Sequence, residues 1–300
     1  MRKLTAVAVI AISITLLGSS AVRAEDPLFA NWATLAPGMT AGYDANSAND
    51  CTSGKLKCVD AVIKEMTKRF DRLASACDHD AIFSLAYLRT TEEYRRAAVE
   101  PGFFEDAAFV NHEDAVFGRY YFDAFDAWHD GDVNATPLAW RVAFTAADGR
   151  QVDANTNALL GINAHIQRDL PYVLWEIGLV KPDGTSRKAD HDKVNEFLNR
   201  VSFYPEAQRR FDASLPTDDG PAGGIHSIVA MRENAWRNAE RLRASENDPA
   251  SFAAVKQSIE QTAYSAAMSI SQGGAYGPFS SSGTSSAARD AYCAANWWRA

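Results

Sequence analysis

The chain has none of the short motifs that announce a reaction. It lacks a Gly-x-Ser-x-Gly elbow, which removes the usual serine hydrolase. It lacks His-Glu-x-x-His and paired Glu-x-x-His patterns, which removes the standard helical metal sites. No glycine-rich phosphate loop follows a strand pattern. Cysteine is scarce, and Cys51, Cys58, Cys77 and Cys293 have no short ligand-type spacing, which argues against a cysteine-held metal. Nor do they form a thiol-protease set with Asn296. Positive charge is short as well: 30 Lys and Arg stand against 38 Asp and Glu, for a formal charge of -8. Nucleic acid and anionic membranes are therefore not expected as main partners. Glycine and proline are thin before residue 215 and alanine is abundant, which favours helix over sheet. Beyond the first residues no apolar run is long enough for a bilayer, so stable membrane insertion is not expected.

What is present begins with a secretory signal. Arg2 and Lys3 precede an apolar stretch over 4–17, and Val22-Arg23-Ala24 is a small-x-small cleavage site. The chain is expected to be exported, to start near Glu25 and to be more acidic after losing Arg2, Lys3 and Arg23. An uncleaved anchor is the alternative, and no cysteine sits at the cleavage point to take a lipid. An even cysteine count in an oxidising compartment points to two disulfides. Three pairings are possible; a local Cys51–Cys58 loop with Cys77–Cys293 tying down the tail is preferred.

The patterning predicts an all-α fold with a single multi-helix, bundle-like domain. Residues 1–24 are the signal, 25–270 the helical domain with a loop-rich arm over 25–50, and 271–300 a Gly/Ser-rich flexible tail ending in Cys293 and Trp297-Trp298. Apolar spacing predicts helices over 59–76, 81–98, 109–128, 137–146, 225–242 and 249–270. Asp190 is expected to cap a further helix, and the two tail tryptophans to pack back onto the body.

The centre of interest is 161–171, which sets Asn163, His165, Arg168 and Asp169 in an otherwise apolar run. Unpaired polar groups in such a run cost roughly 1–3 kcal/mol each. At helical spacing His165, Asp169, Tyr172 and Glu176 share one stripe, predicted to face His112 and Asp123 on the preceding helix. Pro171 removes an amide donor and clashes with the carbonyl of Gln167, so the helix is expected to kink or break there. His79, His112, His165 and His191 each sit near acidic residues at helical positions. Imidazoles and carboxylates on facing helices are what a zinc or related divalent site requires. Such a metal lowers the pKa of bound water to about 7.

On this reading the chain is a metal-dependent hydrolase. His79, His112, His165 and Asp169 hold the metal, and His191 or Asp192 serves as a further ligand or general base. Arg168 and Arg89 hold an anionic substrate group, with Asn163 and Tyr172 beside it. Secreted zinc phospholipases and nucleases offer a fold-level analogy only, since their ligand spacing is missing. The alternative is a non-catalytic protein that binds a small molecule or lipid, its His–Asp pairs being structural. A third is an envelope interaction protein using the tail.

Several segments carry a resemblance. They are Cys77-Asp78-His79-Asp80-Ala81-Ile82-Phe83, Tyr87-Leu88-Arg89-Thr90-Thr91, Phe104-Glu105-Asp106, Asn111-His112-Glu113-Asp114, Tyr120-Tyr121-Phe122, Trp140-Arg141-Val142-Ala143-Phe144, the 163–171 stretch NAHIQRDLP, and Asp190-His191-Asp192-Lys193-Val194-Asn195. Over about 50–245 the chain resembles an uncharacterised family of bacterial and fungal proteins catalogued as a domain of unknown function. The resemblance implies a helical fold and brings no activity with it.

Overall fold

The computed structural model describes residues 31–218, 223–275 and 284–299, with only the backbone over 223–226. The expected signal and most of the Gly/Ser stretch lie outside the described residues. The described chain is all-α and packs as one domain. It includes two isolated β-bridges, Val152 with Ala275 and Val180 with Ser186.

After a single turn, α1 (Trp32–Leu35), the first long helix is α2 (Leu56–Ser75). Its buried residues Val59, Val62, Met66, Phe70 and Leu73 recur every three or four positions, so one stripe meets α3 (Ala81–Ala97). Helix α3 is the central element: Ile82, Leu85 and Leu88 are buried on one side and Phe83 and Tyr87 on another. Against it lie α4 (Ala107–His129), α5 (Leu138–Asp148) and α6 (Ala154–Asn163). Their Phe122, Phe125, Trp140, Phe144 and Leu160 complete the main core.

Helix α6 continues without a break into a π-helical segment, Ala164–Asp169, and then α7 (Leu170–Ile177). Next come α8 (Lys188–Leu198), α9 (Tyr204–Arg210), α10 (Gly223–Ser245), α11 (Pro249–Gly273) and α12 (Ser286–Asn296). Helix α10 covers α7 through Ala235, Trp236 and Ala239.

The long predicted helices are all present. Helices α9 and α12 were not predicted. Seven residues are too few for a periodic signal, and α12 follows a Gly/Ser run that reads as tail. The chain end is nonetheless anchored. Buried Arg289 on α12 donates to Asn157 Oδ1 at 2.6 Å, and Arg210 Nε donates to the Trp297 carbonyl at 2.7 Å. Trp297 packs on the core, whereas Trp298 is exposed. The disulfides are Cys51–Cys58 and Cys77–Cys293, the preferred pairing.

Asp190 does not cap its own helix. It lies in the first turn of α8, and its carboxylate accepts the backbone N–H groups of Glu105 (2.7 Å) and Asp106 (3.0 Å), just ahead of α4. No helix among the described residues is long and apolar enough to cross a membrane.

Candidate functional site

The site begins with the way the central helix passes Pro171. Instead of breaking, the helix widens. The N–H of Leu170 reaches the His165 carbonyl five residues back, and Pro171 starts the next α-helical stretch. A wide turn just before proline eases the clash of its ring with the preceding turn and puts the missing amide where the ladder is already shifted. One turn earlier, Gly161 lets α6 lie directly on α3: a Cβ there would stand 2.2 Å from Phe83 Cγ. Single π turns are frequent where helices carry functional groups.

The π turn holds His165 in an aromatic box. Its ring stacks on Phe117 with centroids 3.5 Å apart and meets the edge of Tyr87 at 4.4 Å. Nδ1 lies 3.0 Å from Oδ2 of Asp169, which also accepts the Trp140 indole N–H at 2.9 Å. Oδ1 of Asp169 accepts from Arg168 at 3.0 Å. Asp169 is wholly buried and therefore fixed by three donors. With Nδ1–H directed at the carboxylate, the lone pair of the imidazole sits on Nε2. Burial holds the His165 pKa below its usual value, against the opposing pull of Asp169. Nε2 is itself buried and has no hydrogen-bond partner.

His165 lines a cavity of about 420 Å³ between α3, α4, α6 with its π turn, α8 with the loop after it, and α10. The walls are mostly apolar: Phe83, Phe117, Ile162, Ile166, Val194 and Phe197 are representative. Leu159, Asn199 and Ser227 are its exposed lining residues, so they mark the mouth. Two further side chains of the lining carry buried polar atoms without partners, Tyr87 Oη and Asp114 Oδ2. Burial, and after it the neighbouring Glu113, pushes the Asp114 pKa up to about 8. Burial raises Glu113 to about 7, against the lowering effect of Arg232. Arg232 is committed elsewhere, donating to the His191 carbonyl at 2.7 Å and to Asn195 Oδ1 at 3.0 Å. The hydroxyls of Thr90 and Thr91 are turned back onto the carbonyls of Ala86 and Tyr87.

Of the residues singled out in the sequence, His165, Asp169 and Arg168 come together, and the other three histidines lie elsewhere with their own partners. Both ring nitrogens of His112 face backbone carbonyls, Cys51 at 3.0 Å and Ala41 at 2.7 Å. His79 sits between Asp290 (2.9 Å) and Arg289 (3.1 Å), with a pKa depressed to about 4 by burial and then by Arg289. His191 lies against Arg232. Among the described residues no three His, Cys, Asp or Glu side chains are placed to share a metal ion.

The residues expected to hold substrate are likewise occupied. Arg89 pairs with Glu206 and Glu92, both at 2.8 Å. Asn163 donates to the Ala263 carbonyl and accepts from Gln167. Arg168 also pairs with Glu260 at 2.8 Å, and the Tyr172 hydroxyl faces the Lys256 carbonyl. Asp192 is on the surface, paired with Lys188. Glu176 does meet α4, accepting from Arg119 (2.6 Å) and Tyr120 (2.8 Å), but His112 and Asp123 are not part of that contact.

Sequence reasoning passed over Tyr87, Glu113 and Asp114 as site residues. The available signal was two adjacent acids inside a helix otherwise rich in Phe, Val and Ala, one turn before Phe117.

Fold and site together define an all-α domain with a largely apolar cavity, lined in part by His165 of a buried His–Asp pair. Residues 59–273 match the model of a family of unknown function (DUF5995), and the chain belongs to that family. Comparison with curated proteins and with solved structures gave no match.

Proposed function

We propose that this protein binds a small, mostly apolar molecule in the cavity. The observation that carries this reading is the 420 Å³ cavity with mostly apolar walls, which His165 helps to line. Ligand sites are typically concavities of roughly 300–1,000 Å³ with a few placed polar groups among apolar walls. The test is titration with the neutral fluorophore Nile red. Saturable binding at one site is expected, weakened in Ile162→Trp, which takes up part of the cavity. Fluorescence that never saturates, or that Ile162→Trp leaves untouched, would sink the idea.

A catalytic second reading is favoured by one detail, the Asp169–His165 pair, whose His165 helps to line the cavity and has no partner at Nε2. That is the arrangement of a general base oriented by a carboxylate, able to draw a proton from water. Turnover of p-nitrophenyl butyrate that disappears in His165→Gln would support it; equal rates in both proteins would end it. Export is part of the proposal too, supported by the N-terminal sequence and by two disulfides, which persist in oxidising compartments. A cytosolic location of the protein in its native host would remove that part.

A further inference from the structure

We infer that α12 is a strap on the cavity wall, released when the Cys77–Cys293 disulfide is reduced. The effect on the cavity rests on the binding reading above; the release of α12 does not.

The strap has little apolar hold of its own. The residues of α12 buried against the body are Arg289, Cys293 and Asn296, while Ala287, Ala288, Ala291, Ala294 and Ala295 are exposed. A helix without an apolar stripe on a core needs other means to stay in place. Here they are a covalent bond, Cys77–Cys293, and polar ties. Arg289 donates to Asn157 Oδ1 at 2.6 Å, and Asp290 pairs with His79 at 2.9 Å and with Arg150. Trp297, just past the helix end, packs on the core.

The positions that receive the strap are unusual. Among the described residues the non-glycine residues with positive φ are Cys77 (51°) and Arg150 (49°). They follow the ends of α2 and α5, where a left-handed turn is most often left to glycine. Both side chains go to α12, Cys77 to Cys293 and Arg150 to Asp290. Two helix ends thus keep a side chain where glycine fits the backbone better, and both of those side chains hold α12.

Helix α12 in turn holds α9. Arg210 Nε donates to the Trp297 carbonyl at 2.7 Å, and the Tyr292 hydroxyl donates to the Arg209 carbonyl at 3.4 Å. Helix α9 has only 7 residues. Its first residue, Tyr204, lines the cavity together with Val201 and Phe203 just before it. Freeing α12 takes two ties from the short helix that carries this part of the wall. Local opening is drawn from weakly held segments of this kind.

The release needs a dithiol as reductant. One of its thiolates attacks the sulfur of Cys77, which is half-buried where Cys293 is buried, and Cys293 leaves as a thiolate. The second thiol then closes the reagent's own disulfide and frees Cys77. The protein gains two electrons and two protons, and the dithiol loses them. In an oxidising compartment the strap stays shut.

Hydrogen exchange read by mass spectrometry tests this on the full chain carrying Cys51→Ser/Cys58→Ser, with and without dithiothreitol, so that one disulfide alone can be reduced. Reduction is expected to remove protection from α12 and to speed exchange in α9 roughly tenfold, while α3 and α4 keep theirs. A tenfold change is about 1.4 kcal/mol, the size of what two hydrogen bonds contribute. Nile red is expected to associate with the reduced protein faster by a similar factor. Cys77→Gly/Cys293→Ser, made in the otherwise unmodified chain, should show the same pattern without reductant, since glycine suits the backbone of residue 77. Protection of α12 or α9 that survives complete reduction overturns the inference, as does loss of protection throughout the domain. Unchanged Nile red kinetics with α12 released overturns the link to the cavity. If Nile red binds neither form, the binding reading falls, and exchange in α12 and α9 still decides the strap.

Discussion

His165 and Asp169 face each other across one turn of a π-helical segment, with Nδ1 3.0 Å from Oδ2 and the opposite ring nitrogen buried and unpaired. The carboxylate fixes the ring, and the ring is clamped from its other sides by Phe117 and Tyr87.

Asp169→Ala is expected to be severely destabilising. It strips Trp140 Nε1 and His165 Nδ1 of their acceptor and removes one of the two carboxylates paired with Arg168, all in a fully buried setting. Removing one partner of a buried charged pair costs about 3–5 kcal/mol. Urea denaturation reads the loss. A change below about 1 kcal/mol, the usual value of an exposed pair, would show that Asp169 is not the lock described.

Gly161→Ala is expected to destabilise, although alanine in a helix interior normally gains about 1 kcal/mol over glycine. The new methyl group would fall 2.2 Å from Phe83 Cγ, with backbone on one side and a packed ring on the other. Overpacking of this kind costs about 1–3 kcal/mol. The same denaturation experiment checks the sign, and a stabilised variant would contradict the close approach of α6 to α3.

Stability is expected to fall as pH rises from about 6.5 to 8. Asp80, Glu113 and Asp114 have pKa values raised to about 7, 7 and 8, each chiefly by burial. A raised value means that the folded state holds the proton more tightly than the unfolded one. The stability it contributes is full below the ordinary carboxylate range, about 4, and is lost as pH climbs through the folded values. Below about 6.5 the opposing groups are the buried histidines His79, His112, His165 and His191, whose depressed pKa values make stability fall as pH drops. Thermal melts across this range should flatten at the alkaline end in Asp114→Asn. An Asp114→Asn curve parallel to that of the wild type would refute the assignment.

The two disulfides are expected to contribute unequally. Cys77–Cys293 spans 216 residues and Cys51–Cys58 only 7. Loop-closure entropy grows with the span, giving about 2–5 kcal/mol for long loops. A Cys77→Ser/Cys293→Ser double variant should melt well below the Cys51→Ser/Cys58→Ser one. The reverse order would show that strain or denatured-state structure dominates.

How much of this was legible in the sequence varies by element. The long helices followed from apolar spacing, because each buries a stripe on one core; α2 is the clearest case. Helix α12 was not legible, because it is held by a disulfide, Arg289 and a cap at Ser285 rather than by an apolar stripe of its own. The His165–Asp169 pair was legible from spacing alone, since residues four apart share a helix face. The convergence of four histidines was not legible, because it depends on how helices rotate about their axes, and the polar partners of His79, His112 and His191 decide that. Tyr87 and Asp114 enter the site through tertiary packing: one looks like core and the other like an ordinary surface acid until α3 and α4 are laid together.

The π turn has a consequence best put as counting. Over 164–169 the helix contains about one residue more than an even α-helical winding would take. Winding the same residues evenly as an α-helix would instead turn everything beyond the segment by about 100° relative to what comes before. Gly161 could then stay on Phe83, or Glu176 on Arg119 and Tyr120, but not both. The relation between the cavity wall and the far end of this helix is thus written in the number of residues between Gly161 and Leu170 as much as in which residues they are.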